Sequence, residues 1–166
     1  MKLAETTYAN SETGCCARLD PTEWEGRELV WDEKPFLRDH IREFLHIPLN
    51  FGSVISRDHA AIEEIGAYPE EPFWLTDEVS PWGSDIYVAV DRHVIPDADV
   101  ETLSGTFVTK AFEGPYRDVG DWVREMQDFV RARGQEAEKI FFYYANCPRC
   151  AKHFGENRVV LFAKVA

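Results

Sequence analysis

No apolar run in these 166 residues approaches the roughly 20 needed to span a membrane as a helix. Basic residues are scarce, with 18 Lys and Arg against 30 Asp and Glu and a formal net charge of −12. No Lys/Arg cluster is present, which argues against nucleic acid or an anionic membrane as partner, since both reward clustered cations. The opening Met1-Lys2-Leu3-Ala4-Glu5-Thr6-Thr7 has no apolar h-region, so no signal peptide is visible and a cytoplasmic protein is expected. The cysteines number only four and are expected to be reduced. A chain this long buries roughly 70% of its unfolded surface and needs no disulfide or metal staple. No Ser-His-Asp or Cys-His arrangement stands out, which disfavours a covalent acyl mechanism. His40, His59, His93 and His153 show none of the spacings of a zinc enzyme.

Aromatic residues, by contrast, are plentiful: 11 Phe, 6 Tyr and 5 Trp. Two readings of an acidic, aromatic-rich chain are open. One is an ordinary aromatic core under a solubilising acidic surface. The other is an aromatic wall with a carboxylate, which attracts flat lipophilic cations.

Residues 1–35 read as an irregular but ordered extension, with turn chemistry at Asn10 to Gly14 and at Asp20-Pro21-Thr22 and with apolar Trp24, Leu29, Val30 and Trp31. Residues 36–48 fit either a helix or a strand, because Leu37, Ile41 and Leu45 satisfy both spacings. The spacing predicts a helix over 53–66, with Ser53 as cap and Gly66 as stop. Strands follow at 73–76 and at 85–91, where Ile86, Val88 and Val90 face one way and Tyr87 and Ala89 the other. A strand over 104–113 precedes the clearest helix, 118–133, whose apolar stripe is Val119, Trp122, Val123, Met126, Phe129 and Val130. Strands at 139–145 and 158–165 complete the chain.

Written out, this order is a strand–helix–strand–strand unit used twice, over about 36–91 and 104–166. The repetition favours a strand at 36–48. The expected class is α+β: duplicated units forming an antiparallel sheet with both helices on one face. Tyr87 then points to the open face if the isoleucine–valine face meets the helices.

Phe112-Glu113-Gly114-Pro115-Tyr116, a strand end leading into an amphipathic helix with a Trp, resembles the GyrI-like small-molecule-binding domain, which also serves as the effector-binding part of multidrug-sensing regulators. The likeness is best over 104–166 and extends over 36–103, so the domain is taken as 36–166. No basic helix-turn-helix occurs in 1–35, so a transcription regulator is not expected. Cys15-Cys16, Trp31, His46-Ile47-Pro48-Leu49-Asn50-Phe51-Gly52 and Cys147-Pro148-Arg149-Cys150-Ala151 further resemble a stand-alone bacterial subgroup often labelled as hydrolases. The resemblance implies a ligand groove on the sheet face away from the helices, with aromatic walls and frequently an acid that meets cationic drugs. Two departures matter. Glu113 stands where many relatives have His, and the last strand, Val159 to Val165, lacks the acid many relatives carry there.

Glu113 is therefore the first candidate for a groove acid, with Glu43 and Glu78 behind it; its rival role is a cap-region carboxylate at the helix start. Tyr116 can orient a ligand or donate a proton, or simply pack. The wall candidates are Trp31, Phe44, His46, Trp74, Trp82, Tyr87, Phe112, Tyr143 and Tyr144; of the last two, adjacent in a strand, only one can face the groove. His46 has a structural, hydrogen-bonded reading beside the functional one. Cys147 and Cys150 with Cys15 and Cys16 offer enough thiols for a structural zinc, His153 being a substitute; the other reading is reduced structural cysteines. No cofactor is required.

The expected function is binding of bulky hydrophobic, often cationic, small molecules by a monomer or weak homodimer. The enzyme alternative is hydrolysis of a strained-ring, cyclopropane-type toxin, with Glu113 as base and Tyr116 or Tyr144 as acid. A third reading, nucleic-acid mimicry, rests on acidity alone.

Overall fold

The computed structural model describes residues 20–44, 47–69, 73–80, 82–144 and 157–166. The described residues form seven strands and two α-helices: β1 Arg27–Phe44, β2 Ile47–Pro48, α1 Phe51–Glu64, β3 Trp74–Ser80, β4 Gly83–Ala89, β5 Asp99–Glu113, α2 Val119–Ala132, β6 Ala137–Tyr144 and β7 Arg158–Val165. The pairings with a defined register are antiparallel. None of the described helices is long and apolar enough to cross a membrane. The chain forms two compact units, Asp32–Ser104 and the remainder, and both β1 and β5 contribute residues to each.

In the unit Asp32–Ser104, β1 pairs with β2 on one side and β4 on the other, and β4 pairs with β3. Residues that face each other across an antiparallel ladder share a sheet face. Leu37 lies opposite Val88, Trp74 opposite Val88 and Asp39 opposite Ile86, so these side chains lie on one face. Leu37, Ile41, Ile86 and Val88 there form a core with Val54 and Ile62 of α1. The helix begins earlier than the 53 expected. Ser53 lies in the first turn, where its hydroxyl donates to the Asn50 carbonyl (3.0 Å), and Asn50 turns its own side-chain oxygen to the Arg42 amide (2.7 Å). The Gly66 amide donates to Glu63 O (3.1 Å) and the Ala67 amide to Ile62 O (2.9 Å), the paired closure of a Schellman motif. On this α1 face, Asp58 hydrogen-bonds Asp39 of β1, and Arg57 pairs with the same carboxylate.

In the other unit, β7 lies between β5 and β6. The stripe read from sequence is realised: Trp122, Met126 and Val130 of α2 pack with Val108, Phe112, Phe142, Val159 and Leu161. Gly114 makes the Gly-Pro-Tyr turn. Its φ of +144° strains any L side chain, and a Cβ there would meet Asp118 and Trp122 at 3.4 Å. The turn is closed reciprocally, the Gly114 amide donating to Asn157 O (3.1 Å) and Asn157 Nδ2 to Gly114 O (2.9 Å).

Residues 27–35, read as irregular from sequence, belong to β1. Glu33 has a φ of 49°, which breaks the two-residue alternation on which a strand is recognised. Its amide is satisfied by Ser104 Oγ (2.8 Å) and its carbonyl by His93 Nε2 (3.0 Å). Before it, Asp20 caps a 3₁₀ turn at Pro21–Trp24 through the Thr22 amide (2.9 Å). That turn is fastened to β5 by Thr109, whose hydroxyl donates to Trp24 O (2.8 Å) and whose carbonyl accepts from Gly26 N (2.9 Å). The strand at 73–76 also extends further than read, to Ser80, because the polar run Thr76-Asp77-Glu78 pairs with β4 instead of forming a loop.

Candidate functional site

The face of β1, β4 and β3 turned away from α1 carries a different chemistry. Arg38 faces Tyr87, His40 faces Asp85, Leu75 faces Tyr87 and Asp77 faces Asp85. The alternation that sends Leu37, Ile41, Ile86 and Val88 to the helix sends these residues to the other side. Tyr87 is only 6% exposed. Phe36 meets it edge-on with ring centroids 6.2 Å apart, and Phe73 meets Phe36 the same way at 5.8 Å. The Lys34 ammonium lies 5.6 Å from the Phe73 ring centre.

Asp85 organises the polar half. Its carboxylate accepts from Arg38 Nη2 at 2.8 Å and lies 2.9 Å from His40 Nδ1. Burial works against its charge, but the hydrogen bonds from His40 and Arg38 outweigh it and hold the carboxyl below the usual range. An ionised carboxylate only accepts, so His40 Nδ1 carries the hydrogen and a neutral imidazole keeps its lone pair on Nε2. Arg38 also reaches Glu101 (3.4 Å) and Asp99 (3.6 Å). Burial raises the Tyr87 phenol above its ordinary value; Arg38 opposes the shift, while Asp85, Asp77 and Glu101 add to it. The phenol thus sits in the field of three carboxylates and one guanidinium.

The sequence candidates are dispersed. Tyr87 lies on this face. Trp74 lies on the opposite face, packed against the α1 core. Phe44 and Trp82, 55% and 59% exposed, pack at 5.8 Å where β1 ends and β4 begins. In the other unit, Trp31 lies 4.5 Å from Phe107, and Tyr143 lies 6.1 Å from Trp24. Tyr144 packs on the α2 side, stacked on Phe142, which answers the parity question between the two tyrosines. Phe112 is buried against Trp122. Glu113 ends β5 with its side chain 57% exposed and Arg158 Nε at 4.0 Å. Glu43 is buried on the α1 side, accepting from Ser84 Oγ at 2.7 Å, and Glu78 shares that face through its register with Ser84. His46, Cys15, Cys16, Cys147, Cys150, His153 and the Tyr116 side chain lie outside the described residues. Among the described residues, no group of three or more His, Cys, Asp and Glu is placed to hold a metal.

Sequence reasoning missed Arg38, His40, Asp77, Asp85 and Glu101. The signal was present in part. A strand over 36–44 already places Arg38 and His40 opposite Leu37 and Ile41, and the same parity puts Asp85 beside Tyr87. What parity cannot supply is the register that brings His40 level with Asp85.

Comparison with known proteins adds three findings. The profile of a family described as bacterial hydrolase matches residues 6–165. A hydrolase from Listeria innocua has a similar structure, with a TM-score of 0.63 at 14% identity, covering 86% of this chain and 92% of that one. The C-terminal domain of EcmrR is also similar, with a TM-score of 0.59 at 12% identity, covering 86% of this chain and 97% of that one. Both likenesses concern the fold. Among curated proteins, none matches.

Proposed function

This chain belongs to the bacterial hydrolase family, and from that footing we propose that it binds bulky apolar molecules, often cationic, against the sheet face that carries Tyr87, in the manner of GyrI-like domains. The observation that carries this reading is the set of carboxylates around Tyr87, Asp77, Asp85 and Glu101, with the Arg38 guanidinium already paired to Asp85 and Glu101. An aromatic ring beside carboxylates favours a lipophilic cation over its neutral counterpart, by ring–cation attraction and by charge. Phe36, Phe73 and Leu75 are buried, at 0%, 2% and 0% exposure, so they support the Tyr87 ring rather than meet the ligand.

A panel of rhodamine-like and quaternary ammonium dyes tests this directly. Binding at micromolar protein is expected, read as a change in dye fluorescence. Asp77→Asn is expected to weaken a cationic dye about fivefold, the effect of about 1 kcal/mol from one partly screened charge. A neutral dye of the same shape should be nearly unaffected. If no dye binds at micromolar protein, the reading fails.

The family's description as hydrolase supports a second reading, turnover, for which the substrate expected from sequence is a strained-ring, cyclopropane-type toxin. Glu113 with Tyr116 is the acid–base pair expected from sequence. Binding that survives Glu113→Gln while turnover disappears would support that assignment.

A further inference from the structure

We propose that His40, held by Asp85 and seated over Gly83, is the general base of a hydrolytic site on the Tyr87 face. The assignment rests on the hydrolase reading and moves its base away from Glu113. Three observations carry it. His40 Nδ1 lies 2.9 Å from Asp85 Oδ1, and Asp85 is itself fixed by Arg38 at 2.8 Å. This leaves Nε2 of the neutral ring as the proton acceptor, on a side chain that is 55% exposed. Gly83 makes room for the ring: a Cβ built there would fall 2.5 Å from His40 Nε2 and 2.6 Å from Cε1. Glu113, by contrast, stands exposed beside Arg158 at 4.0 Å.

The step is an ordinary general-base hydrolysis. A water proton passes to Nε2 as the water oxygen bonds to the electrophilic carbon. The carbon–leaving-group bond then breaks with its electron pair on the leaving group, which takes the proton back from Nε2. Asp85 keeps Nδ1–H oriented and stabilises the intervening imidazolium. The charged groups that share the face with His40 are Arg38 and Arg42 on β1, Asp85 on β4 and Asp77 on β3.

The test uses the full chain with three probes: p-nitrophenyl butyrate, butyrylcholine followed by pH-stat, and styrene oxide. Turnover of at least one is expected. His40→Gln should lower kcat/KM about 100-fold or more, within the usual range for a positioned base. Gly83→Ala removes no titratable group but displaces the imidazole, and should lower kcat/KM at least tenfold while far-UV circular dichroism stays unchanged. Asp85→Asn takes the carboxylate from His40 Nδ1 and should lower kcat/KM at least tenfold with KM little changed. Turnover that persists in both His40→Gln and Gly83→Ala would overturn the assignment and leave the hydrolase reading standing. Absence of turnover on all three probes would overturn both, without touching dye binding.

Discussion

Trp24→Ala is expected to destabilise the protein by about 3–5 kcal/mol, the range for emptying a buried Trp site. Trp24 is 0% exposed, with Phe162 at 5.6 Å and Tyr143 at 6.1 Å between ring centroids. Its backbone is tied to the fully buried Thr109 through a 2.8 Å hydrogen bond, so the site has little freedom to collapse. Trp24→Phe should cost far less, about 1–1.5 kcal/mol. It retains a ring against Phe162 and Tyr143 and removes an indole N–H that has no hydrogen-bond partner among the described residues. Urea unfolding checks both variants. A loss below about 1 kcal/mol for Trp24→Ala would show that the 3₁₀ turn is an appendage, not part of the core.

The second large effect concerns Asp58. Burial pushes its carboxyl up to about 8, helped by the hydrogen bond and the charge of Asp39. Asp39 feels burial too, but hydrogen bonds from Asp58 and Arg57 outweigh it and hold that carboxyl below its usual range. One proton is thus kept on the pair in the folded state at pH values where the unfolded chain has released it. Stability from Asp58 is complete below about pH 4 and is lost as the pH rises towards 8. The steepest slope that one proton permits is roughly 1.4 kcal/mol per pH unit. Asp58→Asn keeps a neutral hydrogen-bond donor for Asp39 and cannot ionise. Its urea midpoint should therefore exceed that of the parent at pH 9 and should change much less between pH 5 and pH 9. Burial lowers the His59 pKa in both proteins, so the difference between them isolates Asp58. Equal midpoint changes in the two proteins would sink the argument.

Both effects fall on residues that the sequence presented without emphasis. Trp24 followed a Pro and preceded Gly26, a setting that reads as a turn, and only its contact with Phe162 makes it core. Asp58 looked like one more acid on an amphipathic helix. Its position opposite Asp39 depends on how α1 lies on β1, and no local pattern encodes that. Helix α2 is the opposite case. Its stripe, its first-turn Asp121 and its stop at Gly134 are all local, and they agree with the structure within a residue or two.

The same division runs through the candidate site. Alternation alone determined that Tyr87 leaves the helix-packed face, because side chains on a strand alternate whatever the strand pairs with. It determined too that one of Tyr143 and Tyr144 would point away from α2. Local pattern likewise placed both helices and the last strand, whose bounds at 158–165 coincide with β7. Only the tertiary structure decided which acid accompanies Tyr87. Asp85 and His40 are 45 residues apart in sequence, and they meet because β1 and β4 pair in one register out of several that the apolar pattern permits. A shift of two residues would keep every apolar side chain on its face and still part the imidazole from its carboxylate.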